Sequence, residues 1–203
     1  MYCLLKNNSW LKKVQLPAIY TIFCLAFTPF AYSQVNPTPA AERMQSMEQR
    51  RKLESNSLLK EVPFRNIGPS IMSGRVVDID ANPDDPTEFY VAYATGGLWH
   101  TTNNGQSFTP IMDSLDMLFI GDIAVNWATK TIWLGSGEVN SSRSSYAGVG
   151  MYKSMNNGKT WEYLGLPESH HIGKIQLHPT DNNIAWVAAL GHLYSANKER
   201  GVY

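Results

Sequence analysis

Thr101-Thr102-Asn103-Asn104-Gly105-Gln106-Ser107-Phe108 and Ser154-Met155-Asn156-Asn157-Gly158-Lys159-Thr160-Trp161 follow one template: hydroxyl, x, Asn, x, Gly, x, hydroxyl, aromatic. The copies lie 53 residues apart, measured from Gly105 to Gly158. An Asn side chain can accept hydrogen bonds from the backbone of its own turn, Gly supplies a positive φ, and an aromatic can pack back onto the sheet. Each copy therefore predicts a tight hairpin between two short strands.

Working outward, the same order of segments surrounds both hairpins. Units start at Gly74, Gly121 and Gly173, spaced by 47 and 52 residues. Each opens with an alternating run (Val76 to Ile79, Ile123 to Val125, Ile175 to Leu177) and a polar turn. A second strand follows (FYVAYA, TIWLGSG, IAWVAAL), then a third (LWHT, GMYKS). The first two units close through the hairpin into SFTPI and TWEYL, whereas the third runs only into its third strand at Tyr203. Four short strands per unit at this period predict antiparallel blades of an all-β propeller, with about two and a half to three blades present.

The two hairpins resemble the Asp box, or BNR repeat, of sialidase-type β-propellers, with Asn103 and Asn156 where that family more often has Asp. FRNIGPSIMSGRV, GGLWHTTNNG, GSGEVNSSRS, HIGKIQLHP and VAALGHLYSANKERGVY are similar to exported bacterial propellers of the sortilin-like and glycosyl-hydrolase-like kind. The resemblance covers about residues 63 to 203. It implies that Thr101, Asn103, Gly105, Ser107, Phe108, Ser154, Asn156, Gly158, Thr160 and Trp161 are structural staples at the blade periphery, and that ligands bind in loops near the propeller axis. It also implies an N-terminal fragment of a larger chain, for which the missing blades would be partners. An unclosed stack of blades is expected to be unstable alone.

The first 33 residues read as a signal peptide. Lys6, Lys12 and Lys13 precede an apolar run of 16 residues, Leu16 to Ala31, interrupted by Pro17 and Pro29 and too short for a spanning helix. Cys3 and Cys24 both fall inside it, so the mature chain would carry no disulfide. Export to the periplasm, cell surface or medium follows, with no membrane span after cleavage. Residues 34 to 62 form a polar leader whose Met44, Met47, Leu53, Leu58 and Leu59 suit a short amphipathic helix or an extended segment.

Charge restricts the partners. The whole chain balances 17 Lys+Arg against 17 Asp+Glu, but removing the three N-terminal lysines leaves the remainder net acidic. Nucleic acid is not an expected partner. An extracellular or periplasmic protein, a peptide or a glycan is.

The candidate ligand site is the loop from Gly135 to Tyr146, about a dozen residues longer than its counterpart at Gly96-Gly97. Glu138, Asn140, Arg143 and Tyr146 offer it a carboxylate, an amide, a guanidinium and a phenol; the alternative is that Glu138 and Arg143 pair and pin the loop. Arg65 and Arg75 flank the approach to the first strand and could hold an anion or bond loop carbonyls. His170, His171 and His192 lack the spacing of a metal site, so no metal and no cofactor is expected. A glycoside hydrolase of xyloglucanase or sialidase type is the alternative function. It needs two carboxylates, with Asp78, Asp80, Asp122, Glu138 and Asp181 available and Glu138 the candidate acid. A remnant without activity is the third reading.

Overall fold

Each alternating run becomes the innermost strand of a sheet. The computed structural model describes residues 36–63, 74–141 and 145–203; the apolar segment Leu16–Ala31, both cysteines, Arg65 and Arg143 lie outside the described residues. The first sheet contains β1 (Val76–Ala81), β2 (Phe89–Tyr93), β3 (Gly97–Thr101) and β4 (Thr109–Pro110). The second contains β5 (Ile120–Asn126), β6 (Thr131–Ser136), β7 (Met151–Ser154) and β8 (Glu162–Gly165). The third contains β9 (Ile172–Leu177), β10 (Ala185–Ala189) and β11 (Gly201–Val202). Strands neighbour one another in chain order in every sheet, and every pair is antiparallel. This is the partial propeller expected from the repeat.

The register is tighter evidence for the repeat than the residue identities are. A β-bulge interrupts the first pairing of each sheet at the same place, skipping Val77, Gly121 and Gly173. Pairing resumes at Asp78 with Ala92, Asp122 with Gly135 and Lys174 with Ala188, which makes Asp78, Asp122 and Lys174 equivalent positions. Likewise Ile79, Ile123 and Ile175 match, and so do Tyr90, Trp133 and Trp186. The bulge lets β5 start at Ile120, earlier than the alternation from Ile123 suggests, because Ile120 still pairs with Ser136 beyond it.

The hydrophobic core lies between blades. Ile120, Ile123, Ile132 and Leu134 of the second sheet bury against Tyr90, Ala92 and Leu98 of the first. Ile172, Ile175 and Val187 of the third bury against Ala124, Trp133 and Met151 of the second. Burying one such aliphatic side chain stabilises by about 1.5–3 kcal/mol. Each blade therefore depends on its neighbour for most of its apolar burial.

The leader is helical over α1 (Ala40–Ser55) and packs Met44 and Met47 onto the first core. Pro39 at its N-cap has no side-chain acceptor, and Glu168 supplies one from outside, accepting the Ala40 N–H at 2.9 Å. At the other end Asp116 accepts from Arg50 through its carbonyl at 3.1 Å and from Arg51 Nε through its carboxylate at 2.8 Å. Both anchors lie in connections between successive sheets.

Candidate functional site

Gly137 follows β6 with φ +88°, and a Cβ there would stand 1.9 Å from the His170 carbonyl oxygen. Only glycine fits, and the turn it permits sends the next side chain inward. Glu138 is 0% exposed. Its Oε1 accepts from Arg75 Nε at 2.8 Å and also from Arg75 Nη2, while Oε2 has no partner among the described residues. Arg75, just before β1, keeps 44% of its side chain exposed. A buried carboxylate thus holds a guanidinium from 63 residues away at the protein surface.

The rest of the loop is fastened to backbone. Glu138 donates its N–H to the Tyr146 carbonyl at 3.2 Å, and Gly137 donates to the Phe119 carbonyl at 3.0 Å. The Tyr146 ring stacks on Phe119, centroids 4.8 Å apart at 17°, and is half exposed. Asn140 is exposed on the same loop. Arg75, Glu138 and Tyr146 are therefore neighbours; Asn140 belongs to their loop without a bond to them. The Glu138 carboxylate has Arg75, rather than a residue of its own loop, as its partner among the described residues.

Behind this loop lies a histidine cluster that spacing alone did not reveal. Burial, then the neighbouring Arg43, His192 and His171, lowers His170 to about 4, so the ring is neutral near pH 7. Its Nε2 lies 3.1 Å from Arg43 Nη2, which donates to it. Arg43 also donates to the carbonyls of Gly148 and, at 3.0 Å, Pro167. Burial lowers His171 too, and its ring bonds the Glu138 backbone. Among the described residues no group of three or more His, Cys, Asp or Glu is placed to hold a metal ion.

The carboxylates of the inner strands join blades. Asp78 Oδ2 accepts the Ile123 N–H at 3.3 Å, Asp80 Oδ2 the Val125 N–H at 2.8 Å, and Asp122 Oδ2 the Ile175 N–H at 2.6 Å. Asp80 Oδ1 also takes the Trp127 indole N–H at 2.6 Å. Lys174, absent from the sequence-based candidates, bonds Asp122 at 3.0 Å and approaches Asp78 at 3.8 Å. Burial raises the Asp122 carboxyl to about 6 in spite of that bond. Burial pulls Lys174, the more exposed partner, downward, but the bond to Asp122 outweighs it and the ammonium holds its proton more firmly than usual. Asp78, Asp80, Lys174 and Gln176 line a cleft of about 240 Å³ between the inner strands. Asp181 instead caps its own turn, accepting the Asn183 N–H at 2.9 Å.

The two hairpins carry one hydrogen-bond pattern. Asn103 Oδ1 accepts from the Ser107 N–H at 3.0 Å and the Thr101 hydroxyl at 2.9 Å, and Thr101 Oγ1 accepts the Gly105 N–H at 3.0 Å. Asn156, Thr160, Ser154 and Gly158 repeat these bonds at 2.9, 3.1 and 2.8 Å. The aromatics sit just before β4 and β8 and part ways. Phe108 meets Phe89 of its own sheet edge-on at 6.1 Å, whereas Trp161 donates its indole N–H across to Ile111 of the first unit at 3.2 Å.

No protein-family profile matches the chain, and no curated protein does. Among solved structures it is similar to the crystal structure of an ancestral GH74 enzyme, at 22% identity and a TM-score of 0.48 over 61% of this chain. The chain spans 14% of that enzyme's length.

Proposed function

We propose that this chain is an exported Asp-box propeller segment of sortilin-like type that binds a glycan, peptide or protein through its loop face, with Arg75 as the ligand-facing cation and Tyr146 as the stacking platform. One observation carries the reading: Glu138 spends its carboxylate on orienting Arg75, whose guanidinium stays 44% exposed beside the loop. A guanidinium fixed in this way loses little side-chain entropy on binding a carboxylate or a sugar hydroxyl. Phe119 holds the Tyr146 ring in place, and its half-exposed phenol suits a sugar face or an apolar side chain. Export is supported by the basic-then-apolar N-terminus.

The alternative, a glycoside hydrolase with Glu138 as acid, rests on the family resemblance. Glu138 has no exposed surface through which to protonate a leaving oxygen. A panel of neutral and acidic oligosaccharides and carboxylate-ended peptides, screened by titration calorimetry, tests the two together. Binding that weakens about tenfold or more in Arg75→Ala and in Tyr146→Ala, without release of reducing ends, is the expected result. Reducing-end release abolished by Glu138→Gln would replace this reading with the hydrolase.

A further inference from the structure

Arg43 of α1 bonds Gly148, Pro167, Glu168 and His170, and the last three belong to the connection between β8 and β9. That connection is built against backbone preference. Leu166 sits at φ +62° and His170 at φ +51°, ψ −51°, on either side of a turn of 3-10 helix, Pro167–Ser169. His171 donates its N–H to the Ser169 carbonyl at 2.5 Å, closing on His170 a γ-turn of the rare, strained kind. Strain of this sort persists only where surrounding contacts enforce it, and α1 supplies several of them. Its Ala40 N–H bonds the Glu168 carboxylate at 2.9 Å, and Arg43 donates to the Pro167 carbonyl at 3.0 Å and to His170 Nε2 at 3.1 Å.

The ground around His170 is also short of hydrogen-bond partners. Arg43 Nε, Ser169 Oγ, His171 Nδ1, Glu138 Oε2 and Asn197 Oδ1 are buried polar atoms without a partner among the described residues. Their residues adjoin one histidine cluster: Arg43 bonds His170, Ser169 precedes it, the His171 ring bonds the Glu138 backbone, and Asn197 donates to the His192 carbonyl at 3.3 Å. The His192 ring meets that of His170 edge-on at 4.3 Å. Polar groups that only solvent can satisfy regain hydrogen bonds when the contact opens, so opening here costs less than in the apolar seams between sheets.

We propose that α1 is an acid-released latch: a proton taken up at His170 Nε2 breaks the bond to Arg43, and the helix withdraws Met44 and Met47 from the first core. The neutral ring accepts from the guanidinium, whereas the protonated ring is a donor and a cation 3.1 Å from another cation. Arg43 faces His170 from α1, His192 from the loop after β10, and His171 from the start of β9. Glu168 Oε2, at 3.5 Å, is the nearby carboxylate, and Arg43 already holds it at 3.4 Å. Glu138 is engaged by Arg75, Tyr163 of β8 is kept a neutral phenol by burial, and Glu199 shares a hollow with Glu168 and Ser169. Burial, then Arg43 and the two other histidines, lowers His170 to about 4, against roughly 6.5 for a free ring. The open form therefore binds the proton more tightly, and the latch holds above about pH 6.5 and weakens as pH falls towards about 4.

Amide exchange of the full 203-residue chain, read as protection relative to the intrinsic rate at each pH, tests the proposal. Protection over residues 40–55 is expected to fall about tenfold or more from pH 7 to pH 5, while β5 and β6 keep theirs. His170→Gln retains a neutral acceptor for Arg43 and is expected to hold α1 equally at both pH values. Should that variant fold poorly, wild type decides the matter, because the His170 ring proton resonance has to titrate at the pH where α1 loses protection. Unchanged protection between pH 7 and pH 5, a loss shared equally by β5 and β6, a loss that persists in natively folded His170→Gln, or a His170 midpoint away from the opening would overturn it.

Discussion

Asp122 reaches out of its own sheet to accept the backbone N–H of Ile175 at 2.6 Å, and Asp78 does the same for Ile123 one sheet earlier at 3.3 Å. The inner strand of each sheet is an edge strand, with N–H groups that no neighbouring strand pairs. A buried N–H left open costs about 1–3 kcal/mol, so a carboxylate from the preceding sheet replaces the missing ladder.

Replacing Asp122 with Ala therefore leaves the Ile175 N–H without its acceptor, while the largely exposed Lys174 ammonium turns to water and Asp78. A loss of about 1–3 kcal/mol is expected from the urea midpoint. Asp122→Asn keeps an acceptor oxygen and should lose less.

Stability should depend on pH through two groups of opposite sign. Asp122 is raised to about 6 by burial, against an unfolded value of roughly 3.9. Between those values the folded chain keeps a proton that the unfolded chain has released, so this contribution falls as pH rises from about 4 to about 6. His170 is lowered to about 4, against roughly 6.5 unfolded. There the unfolded chain binds the extra proton, and the contribution is lost as pH falls from about 6.5 to about 4. Urea midpoints from pH 4 to 7 should show a steeper rise with pH in Asp122→Asn than in wild type, and a flattened or reversed slope in His170→Gln.

Gly137 and Gly165 both have positive φ, +88° and +99°, but only the first is crowded. Alanine at Gly165 meets nothing within 4 Å and should cost about 1 kcal/mol of backbone strain. Alanine at Gly137 collides with the His170 carbonyl and must shift the loop that carries Glu138. A loss of about 3 kcal/mol or more, together with weakened ligand binding, is expected there, and thermal melts of the two variants side by side check it.

Arg43 fastens α1 to the sheets through Gly148, Pro167, Glu168 and His170. Arg43→Ala leaves those acceptors to water and removes the buried stem. The helix is expected to open locally, with amide exchange over residues 40–55 accelerating about tenfold or more while that of β5 and β6 changes little. Equal acceleration everywhere would instead make the helix part of one cooperative unit.

Sequence by itself determined what depends on near neighbours. Alternation specified the strands, and the spacing of Thr101, Asn103, Gly105 and Ser107 specified a hairpin whose bonds close within four residues. Recurrence of that pattern specified the blades. The candidate site was legible only in part: an unusually long loop singled out Glu138 and Tyr146 as candidates, but nothing in one sequence says which arginine a carboxylate will meet. Arg75 arrives across 63 residues, Lys174 across 52 and Arg43 across more than a hundred, each carried there by the stacking of sheets. Stacking also decided that Asp78 and Asp122 join blades. Local hydrogen bonding and side-chain alternation are written residue by residue, whereas the partner of a buried charge is chosen by the packing that removes water from around it.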